Sequence, residues 1–242
     1  MNNYPWSDIT PFLDFRDTRK KFFNKFCYAM VYKCPGGRII KLAKTADDIG
    51  WLAERRIASD QYRMQQVRWN PTPYLKTGDI DEQQIAAFID IKNNKSQDTA
   101  IRIEEPYVRV YGQKEQTLYD IANNELAAWK PSLVELYRPA GAMDEAALNN
   151  GNIVMKTNVG YRYKFIMRDG YYGEENKLAL SNYLLQLGEL VKVSPTVNRS
   201  LTNTGKYMWR GWFYSNEYDI KTMIDIIAPG AISAIHTVVH NN

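Results

Sequence analysis

Histidine and cysteine are nearly missing from this chain, with 2 of each among 242 residues. A catalytic triad or a histidine-rich metal centre would have almost nothing to draw on. Cys27 and Cys34 have no third cysteine to join, so a four-thiolate zinc site is excluded. If the chain between them is one extended strand, their Cα atoms stand roughly 20 Å or more apart, beyond the reach of a disulfide. Two reduced thiols are expected. No apolar run is long enough to cross a membrane, and the opening Met-Asn-Asn-Tyr-Pro-Trp-Ser-Asp lacks the charged and apolar regions of a signal peptide. These absences predict a cytoplasmic protein without a membrane partner.

Motifs of common enzymes are lacking too. There is no Gly-x-x-x-x-Gly-Lys-Ser/Thr loop, no Gly-x-Gly-x-x-Gly, no Gly-x-Ser-x-Gly and no His-Glu-x-x-His, so no cofactor or catalytic residue is assigned. His236 and His240 have the four-residue spacing of a helical metal pair. They fall in a segment rich in Ile, Val and Thr that reads as a strand, where that spacing is about 13 Å, so they read as solvated histidines near the chain end.

What the sequence has in quantity is aromatic: 6 Trp, 17 Tyr and 8 Phe, 13% of the chain. With 45% hydrophobic and 24% charged residues and a mean hydropathy of -0.48, the composition is that of a folded globular protein of one large or two ordinary domains. The net charge of +4 is unevenly spread, +6 over residues 1–70, −5 over 71–155 and +3 over 156–242. A basic surface at either end, or ordinary solvated faces, would both produce this pattern.

Residues 1–26 read as an arm with one helix, because Phe15, Phe22 and Phe26 recur near helical spacing among Arg16, Arg19, Lys20, Lys21 and Lys25. Beyond it the same element order reads twice. In 159–242, Tyr161 to Arg168 alternates as a strand, Asp169-Gly170 turns, and a helix around Leu178 to Leu187 ends at Gly188. Strands Leu190 to Val193 and Lys206 to Tyr214, a helix from Asp219 to Ile227 and a strand from Ile232 to Val239 follow. In 27–140, a strand from Phe26 to Lys33, a helix from Ala46 to Ser59 capped by Thr45, and a strand from Gln65 to Trp69 precede a helical insertion near 79–98. A strand from Val108 to Tyr111, a helix from Glu115 to Asn123 and a strand from Leu133 to Tyr137 complete the half, and 141–158 connects the two.

The local parallel is best where Arg109-Val-Tyr-Gly-Gln and Ser132-Leu-Val-Glu-Leu-Tyr match Trp212-Phe-Tyr-Ser-Asn and Ile232-Ser-Ala-Ile-His-Thr. The expected class is α+β: two tandem ferredoxin-like (β-α-β-β-α-β) halves with an N-terminal helical arm.

Such a sheet carries both helices on one face, leaving the other to bind. Alternation puts Val108 and Val110 on the helices and Tyr107, Arg109 and Tyr111 outward. It puts Arg162, Lys164 and Arg168 outward opposite Tyr161, Tyr163, Phe165 and Met167. Arg210 and Trp212 lie on a strand with rings on both sides, whose faces the pattern does not choose. Rings beside guanidinium groups are the chemistry by which open sheets hold unpaired bases and phosphates. Of the RNP1-type pattern, however, Arg210-Gly-Trp-Phe-Tyr matches only the opening.

The sequence therefore predicts a non-enzymatic accessory protein that binds single-stranded RNA or DNA through Tyr107, Arg109, Tyr111, Arg162, Lys164, Arg168, Arg210 and Trp212. The Asn- and Tyr-rich profile fits a virus-encoded protein of the host cytoplasm or virion. The alternative is a structural or assembly subunit, for example of a virus particle, using the same aromatic faces to meet copies of itself or another protein. A weaker third reading is a Mg²⁺-dependent nuclease built on Asp79, Asp81 and Glu104. Glu104-Glu105-Pro106 otherwise reads as a corner, because Pro removes a ladder donor.

Overall fold

In the structure, a computed structural model that describes residues 4–6, 9–66, 79–94, 96–203, 205 and 207–240, the chain divides into two units, Met1–Glu145 and Ala146–Asn242. Each is an α+β unit on its own five-stranded sheet. Among the described residues no helix is long and apolar enough to cross a membrane.

The first unit corrects the expected helical arm. Asp14–Asp17 is a strand (β1), and Phe22 and Phe26 exchange backbone hydrogen bonds across a tight turn with Phe23 and Asn24 at φ of 52° and 56°. Of the phenylalanines whose spacing resembles a helix, Phe15 lies in β1 and Phe22 and Phe26 close this turn. The unit continues with β2 (Tyr28–Lys33), α1 (Arg38–Leu42), α2 (Ile49–Gln66), α3 (Glu82–Asn93), β3 (Thr99–Glu104), β4 (Tyr107–Gly112), α4 (Glu115–Asn123) and β5 (Leu133–Arg138).

The first unit's sheet order is β1-β5-β2-β4-β3, with β1 parallel to β5 and every other pair antiparallel. Gln65 and Gln66, expected in a strand, end α2 instead, and the rest of that expected strand lies outside the described residues. The outer neighbour of β4, on the side away from β2, is β3, which turns into it at Glu105-Pro106.

Helix starts follow local chemistry. The Asp48 carboxylate accepts from the amides of Lys44 (2.8 Å) and Thr45 (3.1 Å) ahead of α2, which holds its carboxyl below the usual range. Asp81 caps α3 by accepting from Gln84 N at 2.9 Å. The helices bury Ile39, Ile40, Phe88, Ile89 and Leu118 against Met30, Tyr32, Val108 and Val110, and Phe88 meets Tyr32 edge-on at 5.5 Å.

α5 (Ala142–Asn149) lies at the division between the units. The second unit then runs β6 (Ile153–Met155), β7 (Tyr163–Met167), β8 (Gly170–Tyr171), α6 (Glu174–Gln186), β9 (Val191–Val193), α7 (Pro195–Thr202), β10 (Tyr207–Met208), β11 (Trp212–Ser215), α8 (Ile220–Ile227) and β12 (Ile232–His240). Its main sheet is β6-β12-β7-β11-β9, with β6 parallel to β12 and the rest antiparallel. β8 and β10 form a separate two-stranded ribbon.

The two sheets share strand order and direction, and also register. Tyr28 opens β2 opposite Gly112, as Tyr163 opens β7 opposite Ser215. Counting inward, the last strand slips by one residue at the same place in both. Leu133 faces Tyr32 with Val134 left over, and Ile232 faces Met167 with Ser233 left over. This bulge shifts the sequence match of the last strands by one: Leu133, not Ser132, corresponds to Ile232.

The second core is Phe165, Met167 and Phe213 on the sheet under Leu180, Leu184, Val197, Leu201, Ile220 and Ile224. Phe165 and Phe213 stack at 4.6 Å and 2°, a contact that contributes about 0.5–1.5 kcal/mol beyond burial.

Candidate nucleic-acid interface

Tyr107, Arg109 and Tyr111 do share the face of β4 opposite the helices, since Val108 and Val110 are fully buried. That face is not open along its length. Tyr107 is 40% exposed, whereas Tyr111 is 2% exposed beneath Phe22 and Phe23 (ring centroids at 5.1 Å) and Phe26 (6.1 Å). Burial raises the Tyr111 phenol above its ordinary pKa. The outward Tyr111 expected from alternation is thus corrected: a turn far away in sequence covers it, which no strand pattern can report. Arg109 is half-buried, with Nε 3.5 Å from a Glu104 oxygen, and Arg102 holds the other Glu104 oxygen at 2.6 Å.

The second sheet is covered by a similar device. Lys192, Tyr214, Lys164 and His236 form one row across β9, β11, β7 and β12. The Lys164 ammonium lies 4.9 Å from the Trp212 ring centre and 5.4 Å from that of Tyr214. Tyr161, expected in the core with Phe165 and Met167, instead stacks on Tyr214 at 6.3 Å and 13°, and its hydroxyl donates to Glu189 O. Ile153 and Val238 complete the cluster, leaving Tyr214 buried and Trp212 half-buried.

Arg162 is exposed beside Tyr163. His236 is not a solvated residue as expected but 8% exposed in the row with Lys164.

Arg168 and Arg210 are exposed, and they flank rings outside the set expected from strand alternation. The stretch Lys206 to Tyr214 is not one strand. Among its described residues it breaks after Met208, and the chain resumes as β11 at Trp212. Gly211 sits at the break because a Cβ there would lie 2.5 Å from Val197 Cγ2 and 3.2 Å from Val197 N and Ser194 Oγ. The interruption frees β10 to pair with β8, placing Tyr207 opposite Tyr171.

Tyr171, Tyr207 and Trp209 then follow one another edge to face, at 5.1 and 5.0 Å, and Tyr171 and Trp209 are 83% and 67% exposed. On one side of this series, Arg168 and Tyr171 line a hollow with Gly230. On the other, Tyr207 and Trp209 line a 310 Å³ cavity with Thr196, Arg199, Ser200 and Asn203. Arg168, Arg199 and Arg210 make no ion pair among the described residues.

The ribbon's support is polar. α7, which the sequence does not reveal because Val197 and Leu201 are its only apolar core positions, starts at Ser194, whose Oγ accepts from Val197 N (3.4 Å) and Trp212 N (3.1 Å), with Pro195 at the first helical position. The buried Lys177 of α6 donates from Nζ to Asn203 O at 2.8 Å and to Gly205 O, anchoring those two residues to α6. The available signal was Tyr171-Tyr172 and Tyr207-x-Trp209 on either side of apolar helix positions, too short a pattern to separate from core.

The residues of the nuclease reading have other engagements. Asp81 caps α3 and accepts from Trp129 Nε1 at 2.8 Å, and Glu104 pairs with Arg102. Among the described residues no group of three or more His, Cys, Asp or Glu is placed to hold a metal ion. Among the described residues, the ribbon and its flanking cations offer accessible stacking and charge chemistry side by side. No protein family, curated protein or solved structure matches the chain, so its functional reading rests on these side chains alone.

Proposed function

We propose that this protein is a non-enzymatic accessory protein that binds single-stranded RNA or DNA through the ribbon of its second unit. Tyr171, Tyr207 and Trp209 stack on unpaired bases, and Arg168, Arg199 and Arg210 meet phosphates. The observation that carries this is the continuous ring series, exposed at Tyr171 and Trp209 and half-buried at Tyr207, with arginines that have no acidic partner among the described residues. Stacking contributes about 1–3 kcal/mol per base without sequence readout.

Of the residues expected from sequence, Arg168 and Arg210 flank the ring series and Arg162 is accessory, whereas Tyr107 belongs to the first unit and has no part in this surface. In the same reading the units are tandem ferredoxin-like halves with one added edge strand each. The fourth-first-third-second antiparallel order of the remaining strands supports this. The Asn- and Tyr-rich composition supports a virus-encoded protein of the host cytoplasm or virion. Fluorescence anisotropy with labelled single-stranded RNA and DNA tests the binding reading: no binding even at low salt, where phosphate contacts are strongest, removes it.

The alternative, a structural or assembly subunit, is favoured by exposed apolar side chains elsewhere: Phe12 at 90%, Leu185 at 70% and Ile226 at 69%. Light scattering separates the two readings, since a monodisperse monomer at high concentration counts against self-assembly.

A further inference from the structure

Resting on that reading, we infer that the cavity between α7 and the ribbon is a subsite for one nucleotide, entered by a base that leaves the ring series at Trp209. Its volume of 310 Å³ is near the lower end for small-molecule sites and suits a single nucleotide.

The two walls differ in chemistry. One consists of the Tyr207 and Trp209 rings, tilted 67° to each other with centroids 5.0 Å apart, so a flat ligand packing on one meets the edge of the other. The second is a face of α7. Thr196, Arg199 and Ser200 are spaced three and four apart along one stripe, and Asn203, the residue that follows the helix, extends the cavity wall beyond it. On a helix docked to a sheet such a stripe is ordinarily apolar, and Val197 and Leu201 supply that face separately, buried in the core. The polar stripe is therefore additional to what the fold requires.

Its groups suit a nucleotide in detail. Arg199 offers a guanidinium with no carboxylate bound to it among the described residues, matched to a phosphate. Ser200 is 6% exposed, and its Oγ accepts from Trp209 N at 3.4 Å, which ties the stacking residue to the polar wall. Asn203 uses its Oδ1 to accept from Gly205 N at 3.5 Å, and its amide donors, which bond no other described residue, suit a base edge or sugar hydroxyl. An apolar ligand would leave these groups unpaired, and a neutral sugar would leave the arginine without an anion.

The test is a titration of the full chain with adenosine 5′-monophosphate, followed through the indole N–H signal of Trp209 and assigned with W209F. Ribose 5-phosphate, adenosine and glucose run in parallel. The subsite predicts a saturable shift with half-saturation around 1 mM for the nucleotide. Arg199→Gln weakens the nucleotide about tenfold and leaves adenosine unchanged, and ribose 5-phosphate alone, without a ring to stack, binds more weakly. If single-stranded oligonucleotide binds while the nucleotide moves no Trp209 signal up to about 10 mM, the subsite is overturned and the binding function stands. If glucose saturates the signal and the nucleotide does not, the cavity is a sugar site and the inference fails. If no oligonucleotide binds at low salt, subsite and binding function fall together.

Discussion

Tyr171 and Tyr207 stand directly opposite each other across the two-stranded ribbon, their rings edge-on at 5.1 Å. Cross-strand neighbours hold each other's rotamers. Loss of one ring therefore costs its own contact with a ligand and loosens the next ring in the series. Tyr171→Ala and Tyr207→Ala are expected to be non-additive, their combined loss of oligonucleotide affinity departing from the sum of the singles by more than about 0.5 kcal/mol in a double-mutant cycle.

Charge on the ribbon is read through salt. With three arginines each meeting one phosphate, log affinity falls with log salt at a slope of about −2 for a single strand, and replacing Arg168, Arg199 or Arg210 by Gln flattens the slope by about 0.7 each. Titrations at four salt concentrations measure it.

Gly211 is expected to tolerate no side chain. A Cβ meets Val197 Cγ2 at 2.5 Å and the backbone nitrogen of Val197 at 3.2 Å, and the second contact cannot be relieved by a rotamer change. Gly211→Ala costs about 1–3 kcal/mol by overpacking. Chemical denaturation should show the loss, with ribbon affinity reduced as well because β10 and β11 part at this residue.

Phe26 provides the opposite case. It is 5% exposed in the cluster over Tyr111, so Phe26→Ala costs about 3–5 kcal/mol of stability. Oligonucleotide affinity per folded molecule should stay unchanged, because the first sheet's covered face is not the binding surface.

Cys34 is buried and its thiol is pushed up to about 12 by desolvation, with Asp81 and Glu105 adding to the effect. It should be silent to thiol reagents at neutral pH in the folded protein and react on unfolding. The folded value exceeds the unfolded one, so the stabilisation is fully present below about pH 9 and is lost as pH rises toward 12. Denaturation midpoints across that window measure it, with Cys34→Ala removing this part of the dependence.

The elements most legible in the sequence were those whose pattern is local. Arg109 to Gln113 and Trp212 to Asn216 were paired from sequence alone, and the register of β4 and β11 places them at equivalent positions. β2 and β7 were visible through alternation. β1 was not, because Asp-Phe-Arg-Asp is a charged, fully exposed edge strand without β-branched residues.

β3 was passed over for Gln65 to Trp69. The pairing of Thr99–Glu104 with β4 is a tertiary matter that composition does not report. The site was half legible for the same reason. Alternation says that Tyr111 and Val110 face opposite ways but not that Phe22, Phe23 and Phe26 return to cover one of those faces. Trp209 was assigned to a long strand because the break at Gly211 depends on the approach of α7, which the strand pattern does not contain.

The central claim is most directly tested by anisotropy of a labelled single-stranded oligonucleotide at about 50 mM salt with wild-type protein, Trp209→Ala, and Phe26→Ala as the stability control. The account predicts measurable wild-type binding, a loss of about 5- to 150-fold for Trp209→Ala at one stacked base, and wild-type affinity for folded Phe26→Ala. Absence of wild-type binding, or binding that Trp209→Ala leaves untouched, would contradict it.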